Sequence, residues 1–424
     1  MNLLEDLRWR GLVAQSTDEK ALAQALGKPV TLYVGFDPTA PSLHVGNLVV
    51  LLVLRRFQLA GHNPIALVGG ATGLVGDPSG KNEERTLNSE EIVGQWVSRI
   101  HEQVSKFLDF SSKNNAAKVV NNLDWTQPLS AIEFLRDIGK HFSVNQMLAK
   151  DSVSSRLEGG GISYTEFSYQ VLQSLDFLEL FKRHACTLQL GGSDQWGNIV
   201  AGLDLIRRVE GGSGHALTVP LLAKSDGTKF GKTAGGSVWL DPAMTSPYAF
   251  FQYWINTEDR DVINFLKVFS FKTHQEIEAL ESSHNQNPGL REAHRALARE
   301  LTSLVHSQDI CDRVEAASKA LFGQGELSEL DESTLESALA ELPRTTLTSL
   351  TQIPSWVDLL CAAGVVESKS AARRIIKEGG AYLNNVKIQG EEFAPGASDF
   401  LFGRFAVLRK GKRDLAAVEY SKKG

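Results

Sequence analysis

Two segments of the chain combine residue types that bind phosphate groups. The first, YVGFDPTAPSLHVGN (33–47), ends an apolar run at Gly35 and then presents Thr39 and His44 just before a helical pattern. Free backbone N–H groups and the positive end of the helix dipole favour an anion at such a position, so a triphosphate could lie there with Thr39 and His44 donating to its oxygens. The alternative is that His44 only caps the helix.

The second segment, AKSDGTKFGKTAGG (223–236), is rich in glycine, lysine and threonine. Lys229 and Lys232 are three positions apart with Gly231 between them, which lets both ammonium groups close on one anion. A basic surface loop without a ligand is the alternative. A further glycine-rich segment, GGATGLVGDPSGKNEER (69–85), matches neither the GxxxxGKS/T nor the GxGxxG signature at the place that each requires.

Two other groups of polar residues have the spacing of a binding site. Tyr169, Gln173 and Asp176 fall at i, i+4 and i+7 of a predicted helix, so all three can line one pocket. An ordinary helix with a surface aspartate is the alternative. The sequence QLGGSDQWGN ends a strand pattern with two glycines and then presents Asp194, a position where a carboxylate suits ribose hydroxyls.

Strand patterns alternate with helical patterns through the first half of the chain. The strand patterns are 31–36, 64–70, 117–122, 187–192 and 215–222, and the helical ones are 47–61, 90–108, 129–149 and 165–183. This alternation predicts right-handed crossovers and an α/β fold with a doubly wound, mainly parallel sheet. Ligands bind outside the carboxyl ends of such strands, so we expect the site in the loops after Phe36, Gly70, Asn122 and Gly192.

Composition and pattern predict a protein of several domains. We expect a catalytic α/β domain over 1–222, the lysine-rich loop and a helical domain over 223–325, a turn-rich linker over 326–354 and a small α+β module over 355–424. The longest clean apolar run, 48–54, is far shorter than the roughly 20 residues that a membrane span needs. The first residues lack the apolar core of a signal peptide, which favours the cytoplasm. The three cysteines are too few and too far apart for a disulfide framework or a zinc site.

Charge is distributed unevenly along the chain. The formal net charge is −6, yet residues 356–424 hold 12 Lys and Arg against 8 Asp and Glu. A basic module on an acidic body favours a polyanionic partner, because local fields steer phosphate chains. A solvated surface tail is the alternative.

Taken together, these segments resemble one enzyme family. PTAPSLHVGN and KFGKT are similar to the HIGH and KMSKS signatures of class I aminoacyl-tRNA synthetases, and they occur in the right order, 185 positions apart from His44 to Lys229. The wording of YVGFDPTAPSLHVGN, GGATGLVGDPSGK, FSYQVLQSLDF and QLGGSDQWGN resembles that of bacterial tyrosyl-tRNA synthetases over nearly the full chain. The stretch WVDLLCAAGVVESKSAARRIIKEGGAYLNNVKI resembles an S4-type RNA-binding module, which would account for the basic end.

The resemblance implies a Rossmann-like catalytic domain and a ligase that activates tyrosine with ATP, then transfers the tyrosyl group to the 3′ end of tRNA(Tyr). It implies that tyrosine is bound by Tyr33, Asp77, Tyr169, Gln173, Asp176, Gln189 and Gln195. It implies that ATP is bound by Gly35, Asp37, His44, Gly46, Asn47, Gly192, Asp194 and Lys232. The implied catalytic residues, which stabilise the departing pyrophosphate, are Thr39, His44, Asn47, Lys81, Arg85, Lys229, Lys232 and Thr233.

The family also sets expectations for cofactors and partners. We expect Mg²⁺ to travel with ATP and no metal to be held by the protein itself, because no carboxylate cluster with cage-like spacing is present. We expect a homodimer. Asn47 stands where many relatives carry a second histidine, and its amide can still donate a hydrogen bond. KFGKT departs from KMSKS but keeps both lysines and a hydroxyl.

Three other functions compete with this one. A tryptophan-specific relative shares the signatures, but Asp176 and Tyr33 suit a phenol. An RNA-binding protein without catalytic activity would be expected to lose His44 or the lysines, and all are present. A dehydrogenase would need GxGxxG followed by an acidic residue about 20 positions later, and that unit is absent from the sequence.

Overall fold

The computed structural model describes residues 2–78, 88–150, 153–154, 157, 161–225, 227–228, 230–233, 236–391, 394–411 and 414–421, with the backbone alone at Lys232 and Thr233. The chain forms two units. The first comprises Met1–Asp241 and Glu258–Ala293, and the second comprises Pro242–Thr257 and His294–Gly424. Among the described residues, none of the helices has the length and apolar character that crossing a bilayer requires.

The first unit is built on a twisted sheet that matches the predicted α/β class. Its strands within the described residues are β1 (Gln15–Ser16), β2 (Thr31–Phe36), β3 (Asn63–Val68), β4 (Lys118–Asn121), β5 (Cys186–Gly192) and β6 (His215–Val219). They lie in the order β1-β6-β5-β2-β3-β4, and every neighbouring pair is parallel except β1 with β6. The doubly wound prediction is confirmed, with β2 at the centre and its carboxyl end beside that of β5. A two-residue hairpin, β7 (Lys232–Thr233) with β8 (Gly236–Ser237), follows.

The helices fall close to the predicted ones, with one exception. In chain order the described helices are α1 (Leu3–Trp9), α2 (Glu19–Ala25), α3 (Val45–Leu59), α4 (Thr72–Val75), α5 (Glu90–Ser105), α6 (Leu123–Thr126), α7 (Ala131–Glu133), α8 (Val144–Leu148), α9 (Tyr164–His184), α10 (Trp196–Glu210), α11 (Pro247–Ile255), α12 (Val262–Phe269), α13 (His274–Gln286), α14 (Glu292–Val305), α15 (Gln308–Leu321), α16 (Glu332–Ala340), α17 (Trp356–Ala362) and α18 (Lys369–Lys377). The single helix predicted over 129–149 is wrong. That stretch instead passes from α7 through a π turn and a 3-10 turn to α8, because Gly139 weakens the helix and Ser143 is extended.

Part of the core of the first unit lies directly under the carboxyl end of β2. Tyr33 and Trp125 are buried there with Leu67, Leu175 and Phe177 in one apolar cluster between the sheet and α9. A full set of apolar contacts fixes the rotamers of such side chains. Polar atoms carried by the same residues are therefore held at fixed positions at the strand ends.

The second unit contains helices and a second sheet. The strands of that sheet are β9 (Arg344–Leu347), β10 (Ala381–Leu383), β11 (Val386–Lys387), β12 (Phe405–Lys410) and β13 (Asp414–Tyr420), in the order β11-β10-β12-β13-β9. Trp356, Leu360, Ile376 and Val418 are buried in its core.

The linker predicted over 326–354 is wrong, because this stretch contains α16 and the strand β9, which pairs in parallel with β13. The four-residue pattern RTTL was too short to read as a strand, although it ends in the buried Leu347.

The basic residues near the C-terminus are partly neutralised. Arg404 forms ion pairs with Glu336 at 2.6 Å and with Glu419 at 2.7 Å. The Arg409 guanidinium is buried and lies 4.1 Å from the centre of the Tyr382 ring. The sequence count therefore overstates the field that these residues present to a polyanion.

The strand β9 gives a stability test of this corrected boundary. Leu347→Ala removes apolar side-chain volume from the core of the second unit, so we expect it to lower the free energy of unfolding by about 2 kcal/mol. Thr346→Ala, at the exposed neighbouring position, is the matched control and should change it by less than about 0.5 kcal/mol. Urea unfolding followed by tryptophan fluorescence measures both. Equal stability of the two variants would mean that 344–347 is a connector after all.

Candidate active site

A cavity of about 380 Å³ opens at the carboxyl ends of β2 and β5, within the first unit. Residues predicted from the sequence contribute most of its polar lining. They are Tyr33, Gly35, Asp37, Thr39, His44, Gly46, Asn47, Asp77, Tyr169, Gln173, Asp176, Gln189, Gly192, Asp194 and Gln195. The crossover connections of the parallel sheet bring these distant segments to one edge, as expected for a doubly wound fold.

Five predicted residues are outside this description in whole or in part. Lys81, Arg85 and Lys229 lie outside the described residues. Lys232 and Thr233 are described as the backbone of β7.

Asp176 on α9 places a buried carboxylate in the lining of the cavity, with 2% of its surface exposed. Its Oδ1 accepts a hydrogen bond from Trp125 Nε1 at 2.9 Å, and its Oδ2 accepts one from Asn122 Nδ2 at 3.0 Å. Burial raises the pKa of Asp176 to about 7, and these two hydrogen bonds oppose the rise. Each carboxylate oxygen keeps a further lone pair, so Asp176 can accept one more proton donor from a ligand.

Three buried polar atoms of the cavity have no hydrogen-bond partner within the described part of the chain. They are the Tyr33 hydroxyl, Gln173 Oε1 and Gln189 Oε1. Burial, followed by the charge of Asp176, raises the pKa of Tyr33, so this hydroxyl stays protonated. An unsatisfied buried polar group costs about 1–3 kcal/mol. Three such groups around one cavity indicate a polar ligand that supplies the missing partners.

Asp37 lies in a hydrogen-bonded wall of the cavity. The Tyr169 hydroxyl donates to Asp37 Oδ2 at 2.5 Å, and the Thr72 hydroxyl donates to Asp37 Oδ1 at 2.7 Å. Burial and then the charge of Asp37 raise the pKa of Tyr169. Gly69 permits this close approach, since a Cβ there would collide with both Asp37 and Thr72. Asp37, which was expected to bind ATP, thus accepts a hydrogen bond from Tyr169, which was expected to bind tyrosine.

Asp77 and Asp194 both line the cavity, Asp77 in the segment after α4 and Asp194 just after β5. Gln195 Nε2 donates to Asp77 Oδ2 at 2.7 Å, which ties the two predicted tyrosine-binding residues together. Burial, and then the charge of Asp77, raises the pKa of Asp194. A Cβ at Gly192 would lie 2.5 Å from Asp194 Oδ1, so glycine is required where the aspartate folds back over the strand end.

His44 is the N-cap of α3, and its ring serves two purposes. Its Nδ1 accepts from the backbone N–H groups of Gly46 at 3.0 Å and Asn47 at 3.3 Å, while Asn47 Oδ1 accepts from His44 N at 3.1 Å. A neutral imidazole whose Nδ1 accepts must carry its proton on Nε2, which is then a donor. The amide nitrogen of Asn47 likewise remains a donor group. Capping and ligand binding are thus compatible here.

The backbone of the lysine-rich loop lies against the first turn of α3. Val45 N donates to Val238 O at 3.0 Å, and Val238 N donates to Gly231 O at 3.0 Å. A side chain at Gly231 would meet Val45 at 2.9 Å and lie 3.7 Å from Gly46 N. The two signature segments therefore meet in space.

Sequence reasoning missed three residues that organise the site: Thr72, Asn122 and Trp125. Asn122 ends a predicted strand and Thr72 follows another, so the strand-end rule pointed to both positions but not to their roles. Trp125 had no sequence signal, because an indole in an apolar neighbourhood is usually a core residue.

Comparison with known proteins places this geometry in a family. The model described as "tRNA synthetases class I (W and Y)" matches residues 25–323, and the model described as "Tyrosine--tRNA ligase SYY-like C-terminal domain" matches residues 334–418. The chain is 60% identical to the tyrosine–tRNA ligase of Streptomyces avermitilis over 421 residues, covering 99% of each chain. It is 58% identical to that of Acidothermus cellulolyticus over 422 residues, again covering 99% of each.

Solved structures agree with this assignment. A C-terminally truncated mitochondrial tyrosyl-tRNA synthetase from Aspergillus nidulans superposes with a TM-score of 0.69 at 31% identity, covering 76% of this chain and 94% of that one. The tyrosyl-tRNA synthetase of Archaeoglobus fulgidus, at 17% identity and a TM-score of 0.56 over 74% of this chain and 99% of that one, shares the fold. The chain therefore belongs to the bacterial tyrosine–tRNA ligases, within the class I tRNA synthetases.

Proposed function

We propose that the cavity at the ends of β2 and β5 is where this tyrosine–tRNA ligase activates tyrosine with ATP and transfers the tyrosyl group to the 3′ end of tRNA(Tyr). The observation that carries the proposal is the pairing of Asp176 with Tyr33. A buried carboxylate with spare lone pairs and a buried hydroxyl that has no hydrogen-bond partner in the described part of the chain face one cavity. A phenol O–H is both donor and acceptor, so it satisfies both groups at once.

This pairing discriminates between aromatic amino acids. Phenylalanine would leave the Tyr33 hydroxyl unpaired and Asp176 without its extra donor, at a cost of about 1–3 kcal/mol for each group. The indole of tryptophan can donate to Asp176 but offers no lone pair to the Tyr33 hydroxyl. Tyrosine is the aromatic amino acid that pairs with both.

The wall of the cavity that contains Asp37 and Tyr169 suits the ammonium group of the substrate. The Tyr169 hydroxyl uses its proton on Asp37 and so presents lone pairs. Gln173 Oε1 is an acceptor without a protein partner in the described residues. With Asp77 nearby as a negative charge, this wall would hold an ammonium through several acceptors.

The N-terminus of α3 suits the triphosphate. Gly35 lines the cavity, and a Cβ at this position would meet nothing within 4 Å, which leaves room for the nucleotide. The tyrosine carboxylate attacks the α-phosphorus, and the bond to the β-phosphate oxygen breaks, releasing pyrophosphate. His44 Nε2, Thr39 and the amide of Asn47 would donate to the leaving group, joined by the lysines and Thr233 of the loop. Such a step needs alignment and charge stabilisation and no protein nucleophile.

The remaining assignments complete the proposal. Asp194 and Gly192 would hold the ribose, Gln189 and Gln195 would contact the tyrosyl group, and Lys81 and Arg85 would assist as pyrophosphate leaves. We propose that Mg²⁺ enters bound to ATP, because no group of three metal-ligating side chains in the described residues lies in this cavity. The S4-like module over 355–424 would bind tRNA, the enzyme would act as a homodimer, and its place would be the cytoplasm.

Pyrophosphate exchange into ATP tests the function and the role of Tyr33 together. The wild-type protein should exchange with tyrosine and not with tryptophan or phenylalanine. Tyr33→Phe should lower kcat/KM for tyrosine about tenfold, because the phenol loses one hydrogen bond, and should raise the low activity with phenylalanine, because no hydroxyl is then left unpaired. Exchange driven by tryptophan would overturn the proposal. If Tyr33→Phe lowered kcat/KM equally for tyrosine and phenylalanine, Tyr33 would not recognise the phenol hydroxyl.

The pKa of Asp176 predicts how tyrosine binding depends on pH. Below pH 7 the group is protonated and no longer a charged acceptor, so tyrosine binding must release that proton. The dissociation constant for tyrosine should therefore be about tenfold larger at pH 6 than at pH 8. Equilibrium dialysis measures it, and Asp176→Asn, which cannot titrate, should show no such dependence. A flat profile for the wild type would mean that a neutral Asp176 recognises the phenol.

Two substitutions at His44 separate capping from catalysis. His44→Asn keeps a good N-cap residue but loses the Nε2 donor, whereas His44→Ala loses both. We expect both to slow tyrosyl-adenylate formation about 100-fold. Only His44→Ala should also lower the free energy of unfolding, by about 1 kcal/mol. Rapid-quench kinetics and urea unfolding measure the two effects. Full activity of His44→Asn would show that the residue only caps the helix.

A further inference from the structure

The lysine-rich loop is attached to one face of α12. Asp261, Phe265 and Phe269 are spaced by four residues, so they lie along one side of this helix. All three are buried. We call them the docking face.

Two parts of the loop contact the docking face. Near the start of the loop, the backbone N–H of Ser225 donates to both carboxylate oxygens of Asp261, at 3.2 and 3.3 Å. In the middle of the loop, the Phe230 ring stacks on Phe269 with 5.3 Å between ring centroids and meets the edge of Phe265 at 5.0 Å. Phe230 lies between the two lysines of the loop in sequence. Its ring therefore fixes the backbone from which Lys232 extends.

The helix that carries the docking face is itself held firmly. The guanidinium of Arg10, buried at the end of α1, donates to the carbonyls of Lys267 at 3.0 Å, Ser270 at 3.1 Å and Lys272 at 2.7 Å. Arg56 of α3 also donates to the Ser270 carbonyl. Cations at the C-terminal carbonyls of a helix complete its hydrogen bonding and favour its dipole.

The helix α3 thus contacts both the lysine-rich loop and α12. Its first turn lies against Gly231 of the loop, and Arg56 near its last turn binds the end of α12. The loop is consequently placed relative to His44 by a closed set of contacts: loop to docking face, α12 to α3, and α3 back to the loop. A displacement of about 1 Å can cost as much as 100-fold in rate when a group must be aligned with a reacting phosphate.

We propose that Phe230 and the docking face of α12 are positioning elements for adenylate formation, which act by holding Lys232 beside the N-terminus of α3. This inference rests on the proposed role of Lys232 in stabilising pyrophosphate. The Phe230 ring packs on α12 and is not among the residues that line the cavity. Its effect must therefore pass through the loop, and removing Lys232 must cancel it.

A set of variants tests this in the full-length protein. Phe230→Ala should slow tyrosyl-adenylate formation by about tenfold or more, with the dissociation constant for tyrosine changed less than about twofold. Phe230→Leu, which keeps apolar burial on the docking face, should recover most of the rate. Phe110→Ala, which removes a partly exposed ring of the same unit away from the cavity, is the matched control and should behave as wild type.

The decisive measurement is made in the Lys232→Ala background. In that background, Phe230→Ala should slow tyrosyl-adenylate formation by a further factor of less than about two, because the effects of residues that act as one unit are not additive. If Phe230→Ala slows the reaction equally with and without Lys232, or leaves the wild-type rate intact, the inference is wrong. If Phe230→Ala also weakens tyrosine binding to a similar extent, the inference is likewise wrong, because the substitution then disturbs the whole site and not the loop alone. If Lys232→Ala keeps the full rate, the proposed function of the loop fails, which is a separate result.

Discussion

Asp176 puts a carboxylate in the protein interior, where a charge is costly, and its surroundings are arranged to keep it there as an acceptor. Trp125 and Asn122 each give one hydrogen bond to a different oxygen. Asn122 is in turn fixed, since its Oδ1 accepts from Ala71 N at 2.7 Å and its Nδ2 also reaches the Thr72 hydroxyl. Removing a partner from such a network leaves a buried polar group unpaired. The shape of the strand-end loops and the proposed selectivity for a phenol therefore depend on the same hydrogen bonds.

The network continues from the phenol side of the cavity to the ammonium side. Thr72 donates to Asp37, and Asp37 accepts from Tyr169. In the proposed binding mode, both ends of the tyrosine therefore contact one connected set of side chains, carried by the ends of three parallel strands. This explains why Asp37 belongs to the wall even though its sequence context resembles a nucleotide motif.

The sequence predicted the central strands well, because their buried runs are long and are separated by clear helical patterns. It failed where an element is short or interrupted, as at β9 and over 129–149, since tertiary pairing and local backbone conformation decide those cases. Most of the motif residues that the structure describes line one cavity, while their roles stay predictions. Asn122 and Trp125 were not assigned, because their roles come from a partner about 50 residues away. His44 showed that two competing interpretations, helix cap and ligand donor, can both apply through different ring nitrogens.

The distribution of charge in the cavity favours separate positions for the two proposed substrates. Acidic side chains, including Asp77 and Asp37, lie where an ammonium is expected and would repel phosphate. The first turn of α3 carries no acidic residue, and His44 Nε2 and the side-chain amide of Asn47 are donors there. A triphosphate entering an otherwise acidic cavity therefore needs additional positive charge close to α3. A lysine on a separate loop supplies it only if the loop is held against that helix, which is the arrangement that Phe230 and α12 create.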